Sequence, residues 1–175
     1  VGAPGDTEGV EVPFYQYGDL NSENGAVSFL WTQLYNIIGA ANSIIASATE
    51  STDPALVAEA KFFRAWCYNQ LVTGWGGVPL IVEAAAAPKT DYTRNTVKEV
   101  DAVIEKDLTD AIADLPVVGK MVNESRISKD AARMLAAEAF LRMGMYDNSY
   151  FKKAEDAVSP VITEGNYQLV KARYG

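Results

Sequence analysis

The stretch that decides the fold is Arg64 to Ile81, which reads RAWCYNQLVTGWGGVPLI. Its first part continues a helical apolar stripe formed by Leu56, Ala60, Phe63, Cys67 and Leu71. We expect this helix to start at an Asp53 N-cap with Pro54 in the first turn, and to end near residues 72–74. One glycine would suffice to end it, yet the chain continues as Gly74-Trp75-Gly76-Gly77. This excess indicates either a tight corner packed on other helices or an aromatic surface for a ligand.

A second helix is predicted upstream, over about residues 27–49, where apolar residues recur at gaps of three and four. A second apolar stripe that includes Trp31 and Tyr35 indicates that neighbours cover this helix on two sides. Asn42 falls within that second stripe. Because a buried unpaired amide costs about 1–3 kcal/mol, Asn42 should have hydrogen-bond partners in the fold.

Three more helices are predicted downstream. Thr96 and Glu99 have the spacing of a capping box, and the helix that they open is closed by Pro116. Ser128 caps an alanine-rich helix that ends at Gly144, and a last helix covers about residues 150–163. No stretch has a persuasive strand alternation.

Two antiparallel pairs and one extra helix predict an all-α fold: a helical-repeat, tetratricopeptide-like α-α superhelix of about five helices. Part of a tetratricopeptide signature is present as Ala136-Ala137-x-x-Phe140, Gly144-x-Tyr146 and Ala154. We expect an irregular N-terminal segment over residues 1–26 and a single helical domain over residues 27–175.

Composition excludes several function classes. The chain has 175 residues, a net charge of −8 and no histidine. The acidic balance disfavours nucleic acid as a partner, and the lack of imidazole removes His-dependent triads and His-containing zinc sites. The acids of the third helix should lie on its solvent face: Glu99, Asp101, Glu105, Asp110 and Asp114. We find no catalytic residue, metal spacing, phosphate loop or cofactor motif, and expect the lone Cys67 to be a buried inert thiol.

Aromatic residues are the remaining candidates for a ligand site. Phe14, Tyr15 and Tyr17 lie in the loop-like N-terminal segment, and Trp75 lies in the glycine corner. Exposed rings stack on sugar rings or peptide side chains, while the tyrosine hydroxyls form hydrogen bonds. The alternative is structural: the first three anchor the N-terminal segment to the helices, and Trp75 packs beneath the turn.

Four segments in series resemble the SusD/RagB family of surface nutrient-binding lipoproteins. They are WTQLYNIIGAANSII (31–45), AEAKFFRAWCYNQLVTGWGGVPLI (58–81), TRNTVKEVDAVIEKDLTDAIADLP (93–116) and RISKDAARMLAAEAFLRMGMYDNSYFKKAEDAVSPVITEGNYQLV (126–170). The resemblance implies that Arg64 and the Gly77-Val78-Pro79-Leu80 corner are framework. It also implies non-catalytic capture of glycans or oligopeptides, with a TonB-dependent SusC-like outer-membrane transporter as the partner.

The resemblance further implies a surface-exposed outer-membrane lipoprotein, whose signal segment and lipidation cysteine would lie upstream of Val1. Family members carry a long C-terminal half, so we expect this chain to be a fragment, a degenerate copy or one piece of a split chain. The alternative function is a tetratricopeptide-like protein-interaction scaffold without a small ligand; an enzyme is a third hypothesis. An exposed apolar patch on a helical groove would favour the scaffold, and one on loops would favour the ligand binder.

Overall fold

The computed structural model describes residues 24–48, 53–84, 91–121, 123 and 125–167. Within these ranges the chain forms five α-helices and no strand, which confirms the predicted all-α fold. The helices are α1 (Gly25–Ser47), α2 (Pro54–Trp75), α3 (Val97–Asp114), α4 (Lys129–Gly144) and α5 (Ser149–Thr163). Since most of residues 1–26 lie outside the described ranges, the division into an N-terminal segment and a helical domain stays a prediction.

The helix starts follow the capping residues in the sequence. The Asp53 carboxylate accepts the Leu56 N–H at 3.0 Å, and Ser128 accepts the Ala131 N–H at 3.3 Å. Thr96 and Glu99 form the reciprocal capping box. The first helix begins at Gly25 rather than residue 27, because the Asn24 side chain caps it by accepting two backbone N–H groups.

Each helix packs antiparallel against the next one in the chain. Lys61 faces Asp110 and Arg64 faces Asp107, so the residue numbers of α2 and α3 run in opposite directions. The same reversal relates the other neighbours, and α2 also touches α4. The structure is therefore a stack of helical hairpins whose core lies between successive layers.

The core consists of apolar stripes at helical spacing, and α3 provides the clearest one. Val100, Ile104, Leu108 and Ala111 are fully buried, as their spacing predicts. Small residues let α4 and α5 approach closely: a Cβ on Gly144 would overlap the Phe151 ring. Three residues of the tetratricopeptide-like pattern, Ala136, Ala137 and Phe140, are buried on α4.

One prediction about α3 is wrong. Asp101 was expected on the solvent face, but it is 3% exposed and forms an ion pair with Arg142 of α4 at 2.5 Å. The reason is that α3 is covered on two sides, by α2 and by α4. A charge stripe therefore need not be a solvated face when a partner helix supplies an arginine.

Candidate functional site

The glycine corner leads from α2 into an extended strap, residues 76–83, that runs back along α1 and α2. Gly76 ends the helix with φ 72°, a positive value that glycine adopts without strain, and donates its N–H to the Val72 carbonyl at 3.0 Å. Gly77 lies against the Asn95 carbonyl oxygen, which a Cβ would overlap. The two glycines thus have different functions: one makes the turn and the other allows close backbone contact.

Side chains satisfy most of the strap's backbone groups, and one backbone bond, from the Asn95 N–H to the Val78 carbonyl at 3.1 Å, adds to them. Tyr35 of α1 donates its hydroxyl to the Pro79 carbonyl at 2.8 Å. The Tyr68 hydroxyl of α2 accepts the Ile81 N–H at 2.7 Å and donates to the Ile81 carbonyl at 3.1 Å. Burial raises the pKa of Tyr68 to about 12 and the pKa of Tyr35 as well, so both remain protonated donors at neutral pH.

A buried polar cluster holds the far end of the strap. Asn42 donates to the carbonyls of Ile81 and Glu83 at 2.8 and 3.2 Å, so the partners expected for this amide exist. Arg64 donates from Nη1 to the Asn42 side chain at 2.8 Å and to the Val82 carbonyl at 3.0 Å. These contacts stabilise the corner and agree with the implied framework function of Arg64.

Trp75 ends α2 and belongs to an aromatic cluster with α1. Its ring lies edge-on to Trp31 with 5.5 Å between centroids, and Trp31 lies 5.0 Å from Tyr35. Both tryptophans are half-buried. Edge-to-face pairs at these distances are favourable. Part of the Trp75 surface is therefore packed in the corner, as the structural alternative predicts.

The exposed part of the cluster lines a notch, which we call the aromatic notch, of about 300 Å³. It is lined by Val27, Ser28, Trp31, Trp75 and Arg94. Arg94 Nη1 donates to the carbonyls of Trp75 and Gly77 at 3.2 and 3.1 Å, so its guanidinium is held beside the two rings. A pair of aromatic rings beside an arginine can stack on a sugar or peptide group and donate hydrogen bonds to its oxygens.

Of the residues predicted to bind a ligand, the structure places Trp75 in this notch. Phe14, Tyr15 and Tyr17 lie outside the described residues, so their function stays a prediction. The other four notch residues were not selected from the sequence, among them Trp31 and Arg94. Trp31 was assigned to a helix stripe, although its spacing from Tyr35 could have indicated an aromatic pair, and Arg94 carries no local signal at all.

An apolar groove, about 660 Å³ in volume, lies on the helix faces rather than on loops. Four of its lining side chains are large and exposed: Trp66, Met134, Leu141 and Phe151. This is the location that would favour the scaffold hypothesis, since it is formed by α2, α4 and α5. We refer to it below as the α4–α5 groove.

Among the described residues, no group of three or more His, Cys, Asp or Glu side chains is arranged to hold a metal ion. None of the described helices combines the length and apolarity needed to cross a lipid bilayer.

Comparison with known proteins gives one consistent family. The family model described as "Starch-binding associating with outer membrane", of the SusD-like type, matches residues 12–141. SusD-like protein P2 of Formosa agariphila is 30% identical over 169 residues, which cover 91% of this chain and 31% of that protein. The chain spans about a third of the length of the curated relatives that it matches.

Solved structures of SusD-like proteins have a similar fold. A SusD superfamily protein from Parabacteroides distasonis superposes with a TM-score of 0.79 at 25% identity, covering 89% of this chain and 35% of that one. A structure described as a laminarin-binding SusD-like protein gives a TM-score of 0.62 at 25% identity, covering 79% of this chain and 34% of that one. The family membership implied by the four sequence segments is thereby confirmed.

Proposed function

This chain belongs to the SusD-like family, and from that premise we propose that it contributes to non-catalytic glycan binding at the bacterial surface. The observation that carries the proposal is the aromatic notch, in which Trp31, Trp75 and Arg94 lie together. Rings stack on the apolar faces of sugars, and the guanidinium donates to hydroxyl oxygens. The laminarin-binding relative supports a glycan as the ligand class.

The expected affinity is modest. Two or three aromatic contacts contribute about 0.5–1.5 kcal/mol each, and ordering the ligand offsets part of this gain. The dissociation constant should therefore be nearer millimolar than nanomolar. Oligopeptides remain the second ligand class, since they offer the same combination of apolar groups and hydrogen-bonding oxygens.

Calorimetric titration with a panel of laminarin, starch and xyloglucan oligosaccharides and oligopeptides tests this proposal. Trp75→Ala should weaken binding about threefold to tenfold, the equivalent of one aromatic contact. Trp66→Ala is the matched control, because Trp66 lies on the same helix but lines the α4–α5 groove. The combined variant Phe14→Ala, Tyr15→Ala and Tyr17→Ala tests the N-terminal aromatics.

Two results would remove the notch as a ligand site. One is that no member of the panel binds the chain. The other is that a ligand binds with the same affinity to the wild type and to both tryptophan variants. Turnover of any glycan in the panel would instead support the enzyme hypothesis, which the proposal excludes.

Membership of the SusD-like family also supports a proposal for where the protein acts. We propose that the protein is a surface-exposed outer-membrane lipoprotein and that it assembles with a TonB-dependent SusC-like transporter. The family description, which associates its members with the outer membrane, supports this location. Co-purification of the protein from outer membranes with such a transporter is the test, and recovery without any transporter would count against it.

A second candidate function is a protein-interaction scaffold, favoured by the α4–α5 groove. Its exposed apolar side chains include Leu141 and Met134, and apolar helix faces of this kind mark protein contacts. Leu141→Asp should abolish co-elution with a purified SusC-like transporter if the groove is the contact. Unchanged co-elution of the variant would show that the α4–α5 groove does not contact the transporter.

A further inference from the structure

The apolar stripe of the α4–α5 groove has no covering element among the described residues. On α5 it runs from Phe151 through Val158 to Ile162, at the gaps of seven and four that one helix face requires. Ile162 is 74% exposed at the end of the helix. On α4 the groove runs from Met134 to Leu141, and within the described ranges α5 packs on α4 alone. In a helical stack the next segment of the chain covers such a face, so this hairpin should have one more neighbour.

The chain leaves α5 at one end of this groove. Arg133 of α4 donates to the Glu164 carboxylate at 3.0 Å, and Asn166 Nδ2 lies 3.5 Å from Asp130 Oδ2. These contacts hold the residues after α5 against the first turn of α4, one turn before the groove begins. Residues 168–175 therefore start beside the groove.

Residues 168–175 are also long enough to cover it. Between Met134 and Leu141 the α4 axis rises by about 10 Å, at about 1.5 Å for each residue. A segment of eight residues can span up to about 26 Å. The segment can therefore reach the far end of the groove while every described helix keeps its place.

The composition of the segment matches that of the groove. It reads QLVKARYG and supplies two apolar and two cationic side chains: Leu169, Val170, Lys171 and Arg173. The described lining of the groove is apolar except for two acids, Glu138 and Glu155. Glu155 already pairs with Lys152 at 3.2 Å. Glu138 accepts the Asn69 side chain at 3.1 Å but forms no ion pair within the described part of the chain, so it is the acid that a cation of the segment would meet.

We propose that residues 168–175 pack into the α4–α5 groove, with Leu169 and Val170 on its apolar lining and Lys171 paired with Glu138. Burial of the two apolar side chains drives the contact, and the ion pair sets its register. The groove is then a packing surface within this chain, not a free surface for a partner. The inference does not depend on what the aromatic notch binds.

A nitroxide spin label on the segment tests the inference in the nitrogen-15-labelled protein. Since Cys67 is fully buried, Gly175→Cys supplies the thiol that reacts with the label. In nuclear magnetic resonance spectra the label should broaden the indole N–H signal of Trp66, which lines the groove. The indole signals of Trp31 and Trp75, which line the aromatic notch, are the internal controls and should be broadened much less.

Variants of the segment and of the groove separate docking from chance proximity. Leu169→Asp should reduce the broadening of the Trp66 signal to the level of the notch tryptophans, because it places a charge against apolar side chains. Glu138→Lys should also reduce it, and adding Lys171→Glu to Glu138→Lys should restore it, because the ion pair forms again with its charges exchanged. Glu138 is exposed and position 169 lies beyond the last helix, so circular dichroism should show an unchanged fold.

Three results would overturn the inference. The first is a Trp66 signal broadened no more than those of the notch tryptophans, which would leave the groove free for a transporter. The second is broadening that appears only between a spin-labelled copy and a separate nitrogen-15-labelled copy, which would make a second molecule the occupant. The third is failure of the exchanged pair to restore the effect, which would reject the pairing of Lys171 with Glu138.

Discussion

Arg64 and Asp107 meet in the core through two parallel hydrogen bonds, Nε to Oδ2 at 2.7 Å and Nη2 to Oδ1 at 2.8 Å. Arg64 is 7% exposed and Asp107 is 2% exposed. The third nitrogen of the guanidinium reaches Asn42 and the Val82 carbonyl. One side chain of α2 thus joins α1, α3 and the strap, and a planar fork suits this better than a lysine.

Arg64→Ala should destabilise the protein by about 3–5 kcal/mol, because it leaves the Asp107 carboxylate buried and unpaired. Urea unfolding followed by circular dichroism measures this. The double variant Arg64→Met with Asp107→Leu should lose much less than the two single changes combined, since no charge is then left without a partner.

The exposed pair of Lys152 and Asp156 is the matched control for that experiment. Both side chains are more than half exposed, and they lie one helical turn apart at 2.8 Å. Lys152→Ala should change stability by less than about 1 kcal/mol. If Lys152→Ala lost as much stability as Arg64→Ala, burial of the ion pair would not be what makes the Arg64 pair important.

The two ends of the glycine corner should respond in opposite directions to alanine. Gly77→Ala should destabilise by about 1–3 kcal/mol, because the new Cβ meets the backbone carbonyl of Asn95, which cannot rotate away. Gly74 is helical with nothing within 4 Å of the added Cβ. Gly74→Ala should therefore stabilise the helix, by up to about 1 kcal/mol. Thermal unfolding compares the two, and equal midpoints would contradict the contact at Gly77.

Helix positions were predictable because they follow local rules. Asp53, Thr96 and Ser128 each cap a helix within three residues, and the apolar stripe of α3 needs no tertiary information. The four segments in series also sufficed for the family. The prediction that Asp101 lies on the solvent face was wrong, because its environment depends on a partner arginine forty-one residues away.

The candidate sites were predictable only in part, because they also combine residues that lie far apart in the sequence. Trp75 was selected because a tryptophan among glycines is unusual in a short stretch. Arg94 joins it through a chain separation of about twenty residues, and the α4–α5 groove combines residues of α2, α4 and α5. Such combinations depend on how the hairpins stack, which no local pattern encodes.

Stability should fall as the pH rises above about 9, because buried thiol and phenol groups, among them Cys67 and Tyr68, resist ionisation. Burial raises the pKa of the Cys67 thiol from 9.0 to about 12 and that of the Tyr68 hydroxyl from 10.0 to about 12. Between those values the folded chain binds more protons than the unfolded chain, so the free energy of unfolding decreases with pH. Below about pH 9 both groups are protonated in both states, and their contribution is constant.

Urea unfolding at a series of pH values measures this decline. Cys67→Ala should make the curve flatter between about pH 9 and 10, where the free thiol ionises first in the unfolded chain. Since Cys67 is fully buried, a thiol reagent should react with the denatured chain and spare the native one. Rapid labelling of the native protein would show that the helix face carrying Cys67 opens.

The two tyrosines that hold the strap should differ in importance. Tyr68→Phe removes the acceptor of the Ile81 N–H and the donor to the Ile81 carbonyl at once. Tyr35→Phe removes one donor, to the half-buried Pro79 carbonyl. Asn42 still donates to the Ile81 carbonyl, so each variant leaves one backbone group of the strap without its partner, at a cost of about 1–3 kcal/mol. Because Tyr68 is fully buried and Tyr35 only half-buried, Tyr68→Phe should destabilise the protein more than Tyr35→Phe. Both changes preserve the ring, so packing is matched between them.

Hydrogen exchange at the Ile81 amide separates this mechanism from a general loss of stability. In Tyr68→Phe that amide loses its acceptor, and its exchange should quicken more than that of core amides in α3. In Tyr35→Phe it should follow the global change, because the Ile81 N–H keeps its partner. Equal exchange at Ile81 in the two variants would mean that another group holds the strap, and the assignment of Tyr68 as its anchor would be wrong.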